Sequence, residues 1–136
     1  PGASPHRPGK RWPAEAFGEL AASLDVPCVI LGAKSEAPIA AEIRAKAPEA
    51  LDLAGRTGFL DIGAIARRAA FCIGNDTGPT HLVALCGCPT LALFGADSDP
   101  TLCAPRGPQV EILRHKPLSD LPVAQVRAAL ERLRAP

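Results

Sequence analysis

Short unbroken apolar runs alternate along this chain with stretches whose apolar residues recur every three or four positions. A continuous run suits a strand covered on both faces, and the longer period suits a helix with one buried side. The strand candidates are residues 28–31, 51–54, 70–73, 90–94 and 110–113. Phe17, Leu20, Ala21 and Leu24 mark a first helix. Trp12-Pro13 opens it, since the missing N–H of a proline has no partner to lose at a first helical position, and Val26-Pro27 stops it. Further helices are expected over residues 35–46 with Ser35 as N-cap, over 60–69 with Asp61 in the first turn, from Pro79 to about Cys86, and over 123–134. Residues 1–11 and 95–108 read as loops. This alternation predicts one Rossmann-like α/β domain spanning residues 1–136, a parallel sheet with helices on both faces and right-handed crossovers.

Composition changes the picture in few places. At 136 residues the chain can bury a real core, and with 4% aromatics that core must come from Ala, Leu, Val and Ile. A net charge of +1 argues against a dedicated nucleic-acid binder. No apolar run reaches the roughly 18–20 residues of a membrane span. The chain starts at Pro1 in a loop, with no leader pattern, and is expected to be a fragment of a longer protein. Its cysteines, Cys28, Cys72, Cys86, Cys88 and Cys103, are odd in number. Cys28 and Cys72 sit in apolar runs as small core residues, and Cys86-x-Cys88 is not the C-x-x-C of common zinc sites. Reduced thiols in a cytoplasmic compartment, with no metal site, are the expectation.

In open parallel α/β sheets ligands bind beyond the carboxyl ends of the strands. Those ends lie at Gly32, Gly55, Asn75 and Gly95, so one site assembled from these loops, with the opening loop nearby, is expected. The sharpest element is Gly74-Asn75-Asp76-Thr77-Gly78-Pro79-Thr80-His81, where a strand turns on small residues into a helix. A first helical turn offers unpaired N–H groups and the positive end of the dipole, an anion site suited to phosphate. Gly78 lets a ligand approach the backbone, and Thr77 can cap the helix or donate its hydroxyl. His81 lies one turn inside on the same side. The same Asp-Thr-Gly-Pro string is also a good helix start with no ligand at all, and His81 alone reads as an ordinary helix histidine. Lys10, in Pro8-Gly9-Lys10-Arg11-Trp12-Pro13, is a point charge on a flexible stem suited to a diphosphate. Taken alone, that stretch is as well explained by a solvated basic loop with Trp12 packed on Phe17. There is no G-x-G-x-x-G, no P-loop and no G-x-S-x-G elbow, so dinucleotide oxidoreductase, P-loop ATPase and α/β-hydrolase readings lose their main support.

Three stretches in order resemble glycosyltransferase family 9, typified by the ADP-heptose:lipopolysaccharide heptosyltransferases. They are Pro1-Gly2-Ala3-Ser4 leading to Lys10-Arg11-Trp12-Pro13, Leu53-Ala54-Gly55-Arg56-Thr57, and Asn75-Asp76-Thr77-Gly78-Pro79-Thr80-His81-Leu82 running on to Pro89-Thr90 and Leu93-Phe94-Gly95. The resemblance implies the C-terminal, donor-binding domain of a GT-B enzyme, with the acceptor domain and its acidic catalytic base outside this chain. It implies heptose transfer from a nucleoside diphosphate sugar, ADP-heptose in the family, to a lipopolysaccharide core acceptor. Carried over by position, Lys10 neutralises the diphosphate, backbone and hydroxyl groups of Asp76, Thr77 and Gly78 hold its oxygens, and His81 sits by the same phosphate or the sugar. Ser4 lines the phosphate side, Thr57 touches the base, and Glu36 binds the ribose hydroxyls. Glu36 is equally a first-turn helix acid. No cofactor and no metal are implied, a metal role for Asp97 and Asp99 being the lesser reading. In such proteins a strand runs into residues 1–3, so here the sheet is expected to lack its first strand and to leave a neighbour unpaired. Two alternatives stay open: another GT-B nucleotide-sugar enzyme such as a 2-epimerase, and a non-catalytic nucleotide-binding or interaction module. The implied location is cytoplasmic, with peripheral contact at the inner membrane where lipid-linked acceptors lie. Arg127, Arg132 and Arg134 on the last helix fit that contact and a solvated face equally.

Overall fold

The computed structural model of the chain describes residues 1–3, 8–97 and 99–135. Among them the helices are α1 Ala14–Ser23, α2 Ala37–Lys46, α3 Phe59–Arg68, α4 Gly78–Leu85, a single turn α5 Pro100–Cys103, and α6 Val123–Arg134. They alternate with the strands β1 Val29–Ile30, β2 Leu51–Asp52, β3 Cys72–Asn75, β4 Thr90–Phe94 and β5 Val110–Arg114, and every strand pair is parallel. Two apolar clusters cover opposite faces. One joins α1, α2 and α6 to Ile30, Leu91 and Leu93, and the other joins α3 and α4 through Ile62, Ala66 and Val83 to Cys88 and Cys72. Helices on both faces are what fully buried parallel strands require. β4, central in its sheet, meets that description, with all five of its residues buried.

The expected single sheet is two: β1–β2, and β3–β4–β5 in that order. β1 and β3 do not pair with each other, yet Ile30 and Leu91 share one core, so the two sheets lie under the same helices. Gly2 stands against Glu36 beyond β1 on one side and is held by Asn75 of β3 on the other. Residues 1–3 therefore enter between the carboxyl ends of β1 and β3. Burial on both faces does not extend to β1 and β2, where Val29 is 44% and Leu51 55% exposed. Each holds two residues in strand geometry instead of four.

Several boundaries moved for local reasons. Pro13 is the N-cap of α1, its carbonyl accepting from Phe17 N (3.1 Å), and the first helical residue is Ala14. Ser35 does not cap α2. Residues Lys34–Glu36 form a 3-10 turn and α2 begins at Ala37 with Pro38 in its first turn. β3 is shifted two residues toward its carboxyl end because its register is set by β4, Cys72 opposite Thr90 and Asn75 opposite Leu93. α5 interrupts the 95–108 loop, capped by Asp99, whose carboxylate accepts from Thr101 N (2.9 Å) and Oγ1 (2.7 Å). The cysteines are all free thiols. Burial pushes the Cys72 thiol up to about 12, with Cys88 adding to the shift. Cys103 is exposed.

Candidate functional site

The loops beyond the strand ends meet one another in a continuous rim. Gly55, at φ +74°, lets its loop lie on Lys34, and its N–H donates to Gly32 O (2.8 Å). Glu36 packs on Gly2, and Gly2 is bonded to Asn75. Asp76 then pairs with Lys10. The α-carbon of Gly9 abuts Asp97, and a side-chain carbon at Gly95 would run into Gly9 O.

Asn75 organises the centre of this rim. It is 1% exposed, and a buried amide needs its partners. Its Nδ2 donates to Pro1 O (2.6 Å) and Gly2 O (3.3 Å), and its Oδ1 accepts from Trp12 N (3.1 Å). Trp12 is anchored in turn: Nε1 donates to Leu121 O (3.0 Å), and its ring meets Phe17 edge-on with centroids 4.8 Å apart. The packing of Trp12 on Phe17 and the placement of Lys10 at the strand ends thus occur together. By sequence Asn75 reads only as a turn residue. A polar residue closing an apolar strand is the sequence signal that marks it.

Beyond Asn75, Asp76 is buried, with its side chain 6% exposed. Oδ2 accepts from Lys10 Nζ (3.3 Å), and Oδ1 lies 3.0 Å from His81 Nε2. Thr77 is the N-cap of α4 in extended geometry, but its side chain caps nothing; Oγ1 lies 3.3 Å from Thr80 Oγ1. Pro79 has no N–H, and those of Gly78 and Thr80 have no intrahelical partner by position. A side-chain carbon at Gly78 would find nothing within 4 Å, so the start of α4 is open. Gly74 is the reverse case: a Cβ there would strike Thr80 Oγ1, so only glycine lets α4 sit this close on β3.

The structure thus brings Lys10, Asp76, Thr77, Gly78 and His81 together. Glu36 joins them through Gly2, but its Oε1 also accepts from Ala33 N (2.8 Å), the local role open to a first-turn acid. Thr57 lies in the loop after β2 with Oγ1 enclosed and without a partner. Ser4 lies outside the described residues. Among the described residues no group of three or more His, Cys, Asp or Glu could hold a metal ion. No helix there is long and apolar enough to cross a membrane. Clefts of about 240 and 480 Å³ lie away from this rim, beside the end of α1 and the amino ends of β1 and β2.

The sequence profile of glycosyltransferase family 9 (heptosyltransferase) matches residues 1–131. The chain belongs to this family. It is 30% identical over 115 residues to lipooligosaccharide heptosyltransferase 2 of Haemophilus influenzae, covering 79% of this chain and 33% of that protein. Among solved structures it is similar to ADP-heptose LPS heptosyltransferase II of E. coli, with a TM-score of 0.88 and 26% identity, over 98% of this chain and 44% of that one. It is also similar to the E. coli heptosyltransferase WaaC with ADP, with a TM-score of 0.84 and 25% identity, over 96% of this chain and 42% of that one. The chain thus spans a third to less than half of these relatives' length.

Proposed function

We propose that this chain is the donor-binding half of a two-domain glycosyltransferase that moves heptose from ADP-heptose to a lipopolysaccharide core acceptor. The observation that carries the reading is the Lys10 ammonium held beside the open first turn of α4. As the glycosidic bond to the sugar breaks, negative charge grows on the diphosphate. Fixed N–H groups at Gly78 and Thr80 and a cation already in place stabilise that charge without reorganising at the moment of reaction. Glu36 and Thr57, on the loops after β1 and β2, take the ribose and base side. The family and the E. coli relative with ADP support the donor class. The acceptor and an acidic base that deprotonates its hydroxyl belong to the other domain. A lipid-linked acceptor places the enzyme at the cytoplasmic face of the inner membrane.

Titration of the full-length protein with ADP, GDP and UDP, followed by an assay of ADP release from ADP-heptose with a heptose-deficient core acceptor, tests this. Tight ADP binding with acceptor-dependent release is expected. Failure of every nucleoside diphosphate to bind would overturn the reading.

A further inference from the structure

Asp76 is an odd residue to find at an anion site, because a buried carboxylate repels phosphate. Oδ2 accepts from Lys10 Nζ, and Oδ1 faces His81 Nε2. Beside the ammonium Asp76 stands as a carboxylate, which can only accept, so the Nε2 facing it carries the hydrogen. Nδ1 of a neutral His81 is then a bare lone pair. It has no partner among the described residues, and the side chain is 34% exposed. A lone pair cannot bind a phosphate oxygen.

We propose that Asp76 is a positioning residue that makes nucleotide binding take up a proton at His81. With Nε2 fixed as a donor to Asp76, the ring meets a diphosphate oxygen through Nδ1 only as imidazolium. The same proton adds positive charge beside that of Lys10. Even where the oxygen does not touch Nδ1, its charge favours the protonated ring, and the linkage is reciprocal: a protonated His81 binds the nucleotide more tightly. Other charges near α4 among the described residues lie on neighbouring elements. α4 has no other charged side chain. On α3, packed against it, Asp61 is engaged at Gly58 N (2.9 Å), and Arg67 and Arg68 lie in the last turn, away from the strand-end rim. Asp97, against Gly9, adds negative charge.

This inference rests on the nucleotide-binding reading above, and its test separates the two. Calorimetric titration of the full-length protein with ADP is run near pH 8, where the second ionisation of a phosphate is complete. Buffers of different ionisation enthalpy then report the protons exchanged. The native protein should take up on the order of one proton per ADP, with affinity falling toward tenfold per pH unit on the alkaline side. In His81→Asn, ADP should still bind, with the uptake gone and the pH dependence flat. Asp76→Asn should reduce the uptake, because an amide can donate or accept and no longer dictates the tautomer, and Asp76→Glu should restore it in part. ADP binding to the native protein without proton uptake, or uptake that persists in His81→Asn, would overturn the inference and leave the donor-binding reading standing. Absence of binding by any nucleoside diphosphate would overturn both. Should the Asp76 variants fail to fold, native protein and His81→Asn decide the matter.

Discussion

At the end of β3, Asn75 and Asp76 are buried and each holds groups from the opening loop, more than sixty residues away in sequence. The loops after β1 and β2 instead present Glu36 and Thr57 among exposed turns, Glu36 bonded within its own turn and Thr57 Oγ1 to nothing among the described residues. The sheets beneath differ in the same sense, β4 wholly buried and β1–β2 half open. Under the proposed function the two regions do different work. Charge stabilisation depends on donors fixed before the reaction, and so needs a rigid, long-range frame. Recognition of a sugar and base tolerates local adjustment.

Four substitutions probe that contrast. Lys10→Ala in the complete enzyme should lower kcat on the order of 10²–10³-fold while the circular dichroism stays native, as expected for loss of one preorganised charge. Unchanged steady-state kinetics would remove the lysine from the diphosphate. Gly74→Ala should cost about 1–3 kcal/mol in denaturant unfolding, because its Cβ meets Thr80 Oγ1 and α4 must shift. Gly78→Ala, with space around it, should leave unfolding within about 0.5 kcal/mol of native. It should weaken ADP binding by about tenfold, which is about 1.4 kcal/mol, by standing where the ligand approaches. A calorimetric dissociation constant equal to native would show that no ligand comes near that backbone. Glu36→Gln should be mildest, raising the donor KM a few fold, about 0.5–1 kcal/mol, with kcat little changed. A large fall in kcat would place Glu36 in the charge-stabilising region and erase the distinction.

What the sequence made legible follows the same division. The bounds of β4 and α6 are local signals, an apolar run and an amphipathic period, and they hold in the structure, while α4 starts one residue earlier than expected, at Gly78. The split of the sheet, the two-residue shift of β3 and the roles of Asn75 and Asp76 as hubs depend on partners distant in sequence, which periodicity does not encode. Ser35 failed as a cap because Pro38 and the Glu36–Ala33 bond offered a competing local start. Placing Lys10, Thr77 and His81 in one cluster came from the order of motifs. The carboxylate between the lysine and the histidine was visible only in three dimensions.

The contact of Gly95 with the carbonyl of Gly9 has a further consequence. Two stretches of bare main chain touch there, one leaving the deepest strand and the other leading directly to Lys10. The location of the ammonium is therefore inherited from the interior, through a joint with no room for a methyl group. A Cβ at residue 95 would push on the Gly9 carbonyl and so displace the stretch that carries Lys10.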